Sequence, residues 1–369
     1  MSIYWGIVLI TIICGMVMPQ EGRQRKYYVT LMTFIHWFVC AFRYEFLTGD
    51  LIKYNTEFRH LRNVSYLSEQ AVHEWRNTGF YWFMKFVGDT TDGDYQALLI
   101  VLATICCVIA GIFIYRYSPK PWFSFVVWNC LSLYVTYDYL AIKQGLAMAI
   151  LMISMMCIFE KKPFWFLIWT LLAGFIHMPA LCFLPAYFLA NRKLNAAMLI
   201  FYIVAAVAIY LSKQLIVEWV AEIYYEDSSF TLIKEELGGR TIVIVLMLIA
   251  GLMLKGFRET RFSQLFNIIV VAAIFQMFSG FDNIFTRLAD YYLQFTVLYI
   301  PMIFYHGSGD RINRLAAPPV FRFNLQSRKI LAACLVLILI WWYDATMLGH
   351  TITYEVDNYL NYRFMWDVK

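Results

Sequence analysis

Across 369 residues the chain is 61% hydrophobic and only 15% charged, with 31 Phe, 26 Tyr and 12 Trp. Soluble domains carry about 25% charged residues, so this composition excludes an ordinary soluble fold and leaves a polytopic membrane protein. The net charge of +5 says little as a total, because the placement of charge along the loops is what sets orientation.

In chain order, apolar spans lie near 2–18, 27–42, 96–115, 121–137, 140–159, 163–176, 178–190, 195–212, 241–254, 262–280, 288–305 and 330–348. They predict an all-α polytopic membrane protein with about 12 transmembrane helices, some short or broken, in one domain over 1–369. No basic segment precedes the first run and no small-residue cleavage site follows it, so it reads as a retained helix and not a signal peptide. Arg23, Arg25 and Lys26 come next. Arg116 and Lys120, Lys161 and Lys162, Arg192 and Lys193, Lys255, Arg258 and Arg261, and a basic loop over 306–329 fall on the same side. The positive-inside rule makes that side cytoplasmic and puts both termini outside.

One stretch organises the rest, from Tyr134 to Ala180. Its apolar runs are interrupted at Asp138 with Lys143 and Gln144, at Lys161 with Lys162, and at His177 beside Pro179. A charge inside lipid costs about 2.5–3.5 kcal/mol on insertion scales, which marks Lys143 as a functional candidate; the alternative is a lysine snorkelling from a helix end. The run from Phe164 to Ala190 spans 27 residues, about 40 Å as a helix, too long for one upright crossing and too short for two complete ones. It reads as a hairpin of two short helices broken at His177, Met178 and Pro179, with His177 lining the cavity such a break requires. The eight cysteines fall in apolar runs without CxxC spacing and read as packing residues, with no disulfide framework or metal site.

This topology sorts the acids. Of the 25 acidic residues only Glu21, Glu160, Glu259 and Asp310 fall on the cytoplasmic side, so the chemistry is expected outside. Two outer loops are long, roughly 43–95 and 213–240. Within the first, Trp75 to Phe86 reads either as an amphipathic helix on the outer leaflet or as an ordinary packed one. Asp92-Gly93-Asp94 reads as a turn ahead of the third span.

Arg43, Lys143, Arg240 and Arg287 stand at the outer ends of four separate spans. Such cations suit a lipid-borne phosphate, since a guanidinium binds its oxygens with two prongs and lysine supplies a point charge. Asp50, Glu74, His177, Asp282 and Asp290 are candidate bases. Tyr44, Tyr54, Trp75, Trp82 and Tyr291 offer flat faces for sugar rings. Each has a plainer reading. Arg43 caps its span, Asp50 bonds its own turn, His177 satisfies a free carbonyl, Asp282 with Asn283 forms a turn, and Arg287 and Asp290 pair with each other. His36 reads as a satisfied core residue.

Taken together, Arg43 with Gly49-Asp50 and Tyr54, Glu74 leading to Gly79-Phe80, IKQGLAMAI at 142–150, HMPA at 177–180 and TRLADYY at 286–292 resemble the EpsG family of Wzy-like exopolysaccharide polymerases. Members commonly carry Arg-Gln where this chain has Lys143-Gln144, and His-x-Ser-Ala where it has His177-Met178-Pro179-Ala180. The resemblance implies a GT-C-like polymerase architecture in the bacterial cytoplasmic membrane, with the active site on the extracytoplasmic face. It implies a glycosyltransferase that joins oligosaccharide repeat units carried on undecaprenyl pyrophosphate, in exopolysaccharide or capsule biosynthesis. Arg43, Lys143 and Arg287 then bind pyrophosphate, with Arg240 added by its place at an outer helix end. Gln144, Tyr54, Asp282, Asp290 and Tyr291 line the substrate. Cations replacing the divalent metal of many sugar transferases make the reaction metal-independent and cofactor-free. Among His177, Asp50 and Glu74, the histidine is favoured as base for its ordinary pKa near 6.5. The expected partners are the lipid-linked oligosaccharide, membrane lipid, a flippase and a chain-length regulator, with no nucleic acid. A flippase or transporter of the same lipid and an O-antigen-ligase-like transferase are the alternatives.

Overall fold

The computed structural model describes residues 2–45, 49–61, 63–67, 77–224, 239–281, 283–306, 319–321, 324–353 and 363–367. Among these the chain is almost wholly helical, with one isolated antiparallel bridge between Arg43 and Phe364. By length and composition three helices can cross a membrane, Tyr95–Tyr117, Ile142–Phe159 and Leu325–Ala345. Ala196–Leu211 and Lys213–Trp219 qualify together as a pair bent by 67°. Shorter apolar helices include Ile3–Val17, Pro163–Ile176, Gly239–Leu254 and Thr260–Gln276. This is a membrane protein, with fewer full-length helices than the expected spans.

The chain divides into two compact units, Met1–Leu181 with Lys329–Lys369, and Cys182–Arg328. The first begins with α1 (Ser2–Val17), α2 (Gly22–Ala41), α3 (Gly49–Leu61), α4 (Thr78–Thr90), α5 (Tyr95–Tyr117) and α6 (Pro121–Cys130). A π-helical segment, Tyr134–Leu140, then leads into α7 (Ile142–Phe159) and α8 (Pro163–Ile176). Local chemistry sets many boundaries. Asp92 and Gly93 take positive φ, and the Asp94 carboxylate caps α5 by accepting from the Gln96 N–H at 2.9 Å, so this acidic triplet is a turn and a cap. Proline occupies the first turn of both α6 and α8, where its missing N–H has no cost.

Two expected spans prove discontinuous, and the expected break at His177 is present. The run 121–137 is α6, a turn with Ser132 at φ 58°, and the start of the π segment. The run 163–190 breaks at His177, whose backbone is extended at φ −147°, ψ 103°. A 3₁₀ turn, Met178–Phe183, and the short α9 (Ala186–Ala190) follow. The run 288–305 is split between α14 (Asn283–Leu293) and α15 (Thr296–Phe304). The expected outer loop 43–95 holds α3 and α4 among its described residues; α4 buries Phe80, Met84, Lys85 and Val87, the packed alternative to a helix lying on the leaflet. Trp75 lies outside the described residues.

The second unit continues with α10 (Ala196–Leu211), α11 (Lys213–Tyr224), α12 (Gly239–Leu254) and α13 (Thr260–Gln276) ahead of α14 and α15. Asn195 caps α10 by accepting from the Met198 N–H at 2.8 Å. Residues 225–238, half of the expected outer loop 213–240, lie outside the described set, as does most of the basic loop 306–329. The last helix among the described residues is α16 (Leu325–Thr353).

Candidate functional site

The first unit gathers its polar chemistry where α2 ends. Arg43 is fully buried, at 0% exposure. Its backbone is held by the C-terminal segment, with Tyr44 N–H donating to the Arg363 carbonyl at 2.9 Å and Met365 N–H to the Phe42 carbonyl at 3.0 Å. Its side chain turns back on its own helix. Nη1 donates to the Cys40 carbonyl and, at 2.8 Å, to the Cys40 Sγ, while the guanidinium lies 4.9 Å from the centre of the Tyr139 ring. Nε and Nη2 are shielded from solvent and have no hydrogen-bond partner. Among the described residues no carboxylate lies within ion-pair distance of Arg43.

A buried guanidinium with two idle donors is unusual, because unpaired buried polar groups are costly. Its surroundings come from the organising stretch. Tyr134–Leu140 is wound as a π-helix, a rare geometry that concentrates at functional sites, and it carries Asp138 beside the Trp128 indole and the Cys106 thiol. Cys40 Sγ donates to the Asp138 carbonyl at 3.0 Å. All eight cysteines are free thiols, yet Cys40 is more than filler, since its sulfur and carbonyl hold Arg43. At Ala141 (φ −85°, ψ 61°) the π segment gives way to α7. Gly145 makes that junction feasible, because a Cβ there would strike the Tyr137 carbonyl oxygen.

Lys143 and Gln144 occupy the first turn of α7. Gln144 is buried and Lys143 half-buried, its ammonium 5.9 Å from the centre of the Tyr54 ring on α3. Tyr95 lies within electrostatic reach of Arg43, Tyr54, Glu45 and Glu57, and its hydroxyl donates to the Leu51 carbonyl at 3.1 Å. Two expected phosphate ligands, Arg43 and Lys143, therefore share a neighbourhood joined by Tyr54 and Tyr95. Tyr54 meets Phe80 of α4 edge to face at 5.6 Å. The neighbouring Gly79 abuts Phe175, two residues before His177. His177 is half-buried at the end of α8; Asp50 is exposed in the first turn of α3. Glu74 lies outside the described residues.

The second unit holds the other expected cations. Asp290 on α14 is 1% exposed, and Arg240 at the start of α12 clasps both its carboxylate oxygens. The fork of Arg240 is thus occupied by a carboxylate 50 positions away in the chain, whereas Arg287 was the expected neighbour of Asp290. Arg287 is exposed one turn before the buried Tyr291. Asp282 lies outside the described residues.

His36 is a satisfied core residue, as the sequence suggests. Its Nδ1 contacts the Met32 carbonyl at 2.8 Å, its Nε2 meets the Asn129 side chain at 3.1 Å, and its ring stacks on Trp128. Among the described residues no group of three or more His, Cys, Asp or Glu side chains is placed to hold a metal ion. Sequence reasoning missed Cys40, Tyr95 and Tyr139; the one signal available was the Cys-x-x-Arg spacing of Cys40 and Arg43, which puts both on one face of a helix.

A family model described as the EpsG family matches residues 26–364, nearly the whole chain. No curated protein and no solved structure shows significant similarity to it.

Proposed function

The chain belongs to the EpsG family, the Wzy-like polymerases, and from that premise we propose that it extends a polysaccharide by joining lipid-linked oligosaccharide repeat units. The donor is a growing chain on undecaprenyl pyrophosphate, and the acceptor is a sugar hydroxyl of another lipid-linked unit. In the reaction the acceptor oxygen bonds to the donor's anomeric carbon, and the bond from that carbon to the pyrophosphate oxygen breaks. The hydroxyl proton passes to a base, and the lipid pyrophosphate leaves with the bonding electrons.

The observation that carries this reading is the idle edge of Arg43. Two guanidinium N–H groups without partners, set beside Tyr139 and Tyr95 with Lys143 beyond Tyr54, suit the charge that develops on a departing pyrophosphate. Electrostatic stabilisation of this kind is typically worth about 10²–10³-fold per donor. A buried Arg43 is reached only after a local opening, and the non-helical joint at Ala141 is the hinge the chain offers. Lys143 supplies the second charge and Gln144 and Tyr54 line the sugar. His177 is our preferred base, ahead of Asp50 and Glu74. Arg240 we read as the counter-ion of Asp290, and Arg287 as the second unit's own phosphate candidate. The reading places about 12 spans, both termini outside and chemistry at the outer face of the bacterial cytoplasmic membrane, on the strength of the basic loops. It runs on cations without a divalent metal.

The test supplies purified protein in detergent with a purified lipid-linked repeat unit and a chelator. The expected result is a product ladder that Arg43→Ala and Lys143→Ala shorten or abolish. A normal length distribution from both variants removes the phosphate assignment, and full activity in His177→Ala removes that base.

A further inference from the structure

Away from the Arg43 cluster, α2 and α5 leave between them an open groove of about 420 Å³. Its α2 wall is one helical stripe, Lys26, Thr30, Thr33, Phe34 and Trp37. The facing wall on α5 runs antiparallel from Tyr115 through Ile112, Gly111 and Val108 to Thr104. Gly111 sets how closely the walls approach, because a Cβ there would collide with the Thr33 Oγ1. At the deep end the Trp37 indole donates to Thr104 Oγ1 at 2.9 Å, tying the walls together.

The groove is graded along its length. Its mouth is basic: Arg23, Arg25, Lys26, Arg116 and Lys120 stand there against Glu21 and Glu160. Arg25 is fixed on the Tyr115 and Ser118 carbonyls at 2.6 and 2.7 Å, Arg116 faces Glu160 at 3.3 Å and Lys120 faces Glu21 at 3.7 Å. Lys26 is exposed and has no ion-pair partner among the described residues. One turn deeper, about 6 Å at 1.5 Å per residue, comes Thr30; Thr33 follows at about 10 Å and Trp37 at about 16 Å. Thr33 Oγ1 is shielded from solvent and has no hydrogen-bond partner. Beyond it the lining is aliphatic and aromatic.

Cation, hydroxyls, then an apolar slot is the order in which a phospholipid presents phosphate, glycerol ester carbonyls and acyl chain. The length from Lys26 to Trp37 also matches one leaflet, about half of a hydrocarbon core about 30 Å thick. We propose that this groove binds one anionic phospholipid of the surrounding leaflet, with its phosphate at Lys26, an ester carbonyl accepting from the exposed Thr30 and one acyl chain laid against Phe34, Val108 and Ile112. The site is separate from the Arg43 cluster and makes no use of the polymerising chemistry.

The test reconstitutes the full chain in nanodiscs of phosphatidylcholine alone or mixed with phosphatidylglycerol, then measures by mass spectrometry the lipid retained after delipidation. The wild type is expected to retain phosphatidylglycerol over phosphatidylcholine. Lys26→Glu should weaken that preference about tenfold, the scale of one charge-assisted hydrogen bond. Val108→Trp and Ile112→Trp, at positions 43% and 45% exposed, should fill the slot and reduce retention of both lipids. If Val108→Trp fails to fold by gel filtration, Ile112→Trp and Lys26→Glu decide the matter. Unchanged phosphatidylglycerol retention in Lys26→Glu, or in a folded tryptophan variant, overturns the proposal. So does a tryptophan variant that converts a dimer to a monomer, which would assign the groove to a second copy, or retention of an isoprenoid lipid without headgroup preference.

Discussion

Two arginines at helix ends carry opposite bookkeeping of charge. Arg240 begins α12 and lays its fork on the buried carboxylate of Asp290, while Arg43 follows α2, fully buried, with Nε and Nη2 unpaired. An arginine whose donors are matched within the protein holds the fold together. One whose donors are left over weakens the fold, and on the proposed reading it receives a ligand from outside, which would separate a structural cation from a ligand-receiving one without reference to position in the sequence.

Breaking the first of the pair should give the largest effect. Arg240→Ala removes the guanidinium that clasps the buried Asp290 carboxylate and should destabilise the protein by roughly 3–5 kcal/mol, seen as a lower melting temperature in detergent, with recovery when Asp290→Leu is added. The same operation on Arg43 should do the reverse to the two readouts. Arg43→Met removes a buried guanidinium with two unpaired donors and should leave melting unchanged or raised, while polymer synthesis falls about 10²–10³-fold. Equal melting losses at the two arginines would erase the distinction.

Smaller effects sharpen it. Gly145→Ala drives a methyl into the Tyr137 carbonyl and should cost about 1–3 kcal/mol through the forced shift, with activity falling alongside melting because the π segment positions Asp138 and the Arg43 surroundings. Lys143→Ala keeps the fold and should lower synthesis by about tenfold, one charge-assisted bond; an unchanged rate would confine the phosphate role to Arg43. The least effect is at the basic loops. Glu160 accepts from Lys162 at 2.7 Å, and this bond, helped by Tyr117 and Arg116, holds its carboxyl below the usual range. A lowered folded-state pKa gives stability that is present above the unfolded value and lost as pH falls through the folded one. The melting difference between wild type and Glu160→Gln should therefore be small at neutral pH, within the about 0–1 kcal/mol of solvent-screened pairs, and vanish on acidification below the ordinary glutamate range.

Hydropathy made most helices legible, because an apolar run is a local signal; Pro121, Pro163, Asp94 and Asn195 stand at helix starts in the structure. The break at His177 was legible too, since 27 apolar residues fit no integral number of crossings. The π winding at Tyr134–Leu140 was not, because a shift from i→i−4 to i→i−5 bonding leaves the apolar pattern intact. Of the expected phosphate ligands, Arg43 and Lys143 share a neighbourhood that the sequence named only as separate helix ends. The clasp of Arg240 on Asp290 and the contact of Cys40 with Arg43 and Asp138 depend on packing between distant segments. A side chain's partner across 50 or 98 positions has no signature in a single sequence.

The idle edge of Arg43 is tested most directly by following melting of purified wild type and Arg43→Met while undecaprenyl pyrophosphate is added. The account predicts that the ligand raises the wild-type melting temperature and leaves that of Arg43→Met unmoved, with the variant no less stable than wild type before addition. A variant that melts far lower on its own, yet still gains the full wild-type shift from the lipid, would contradict it.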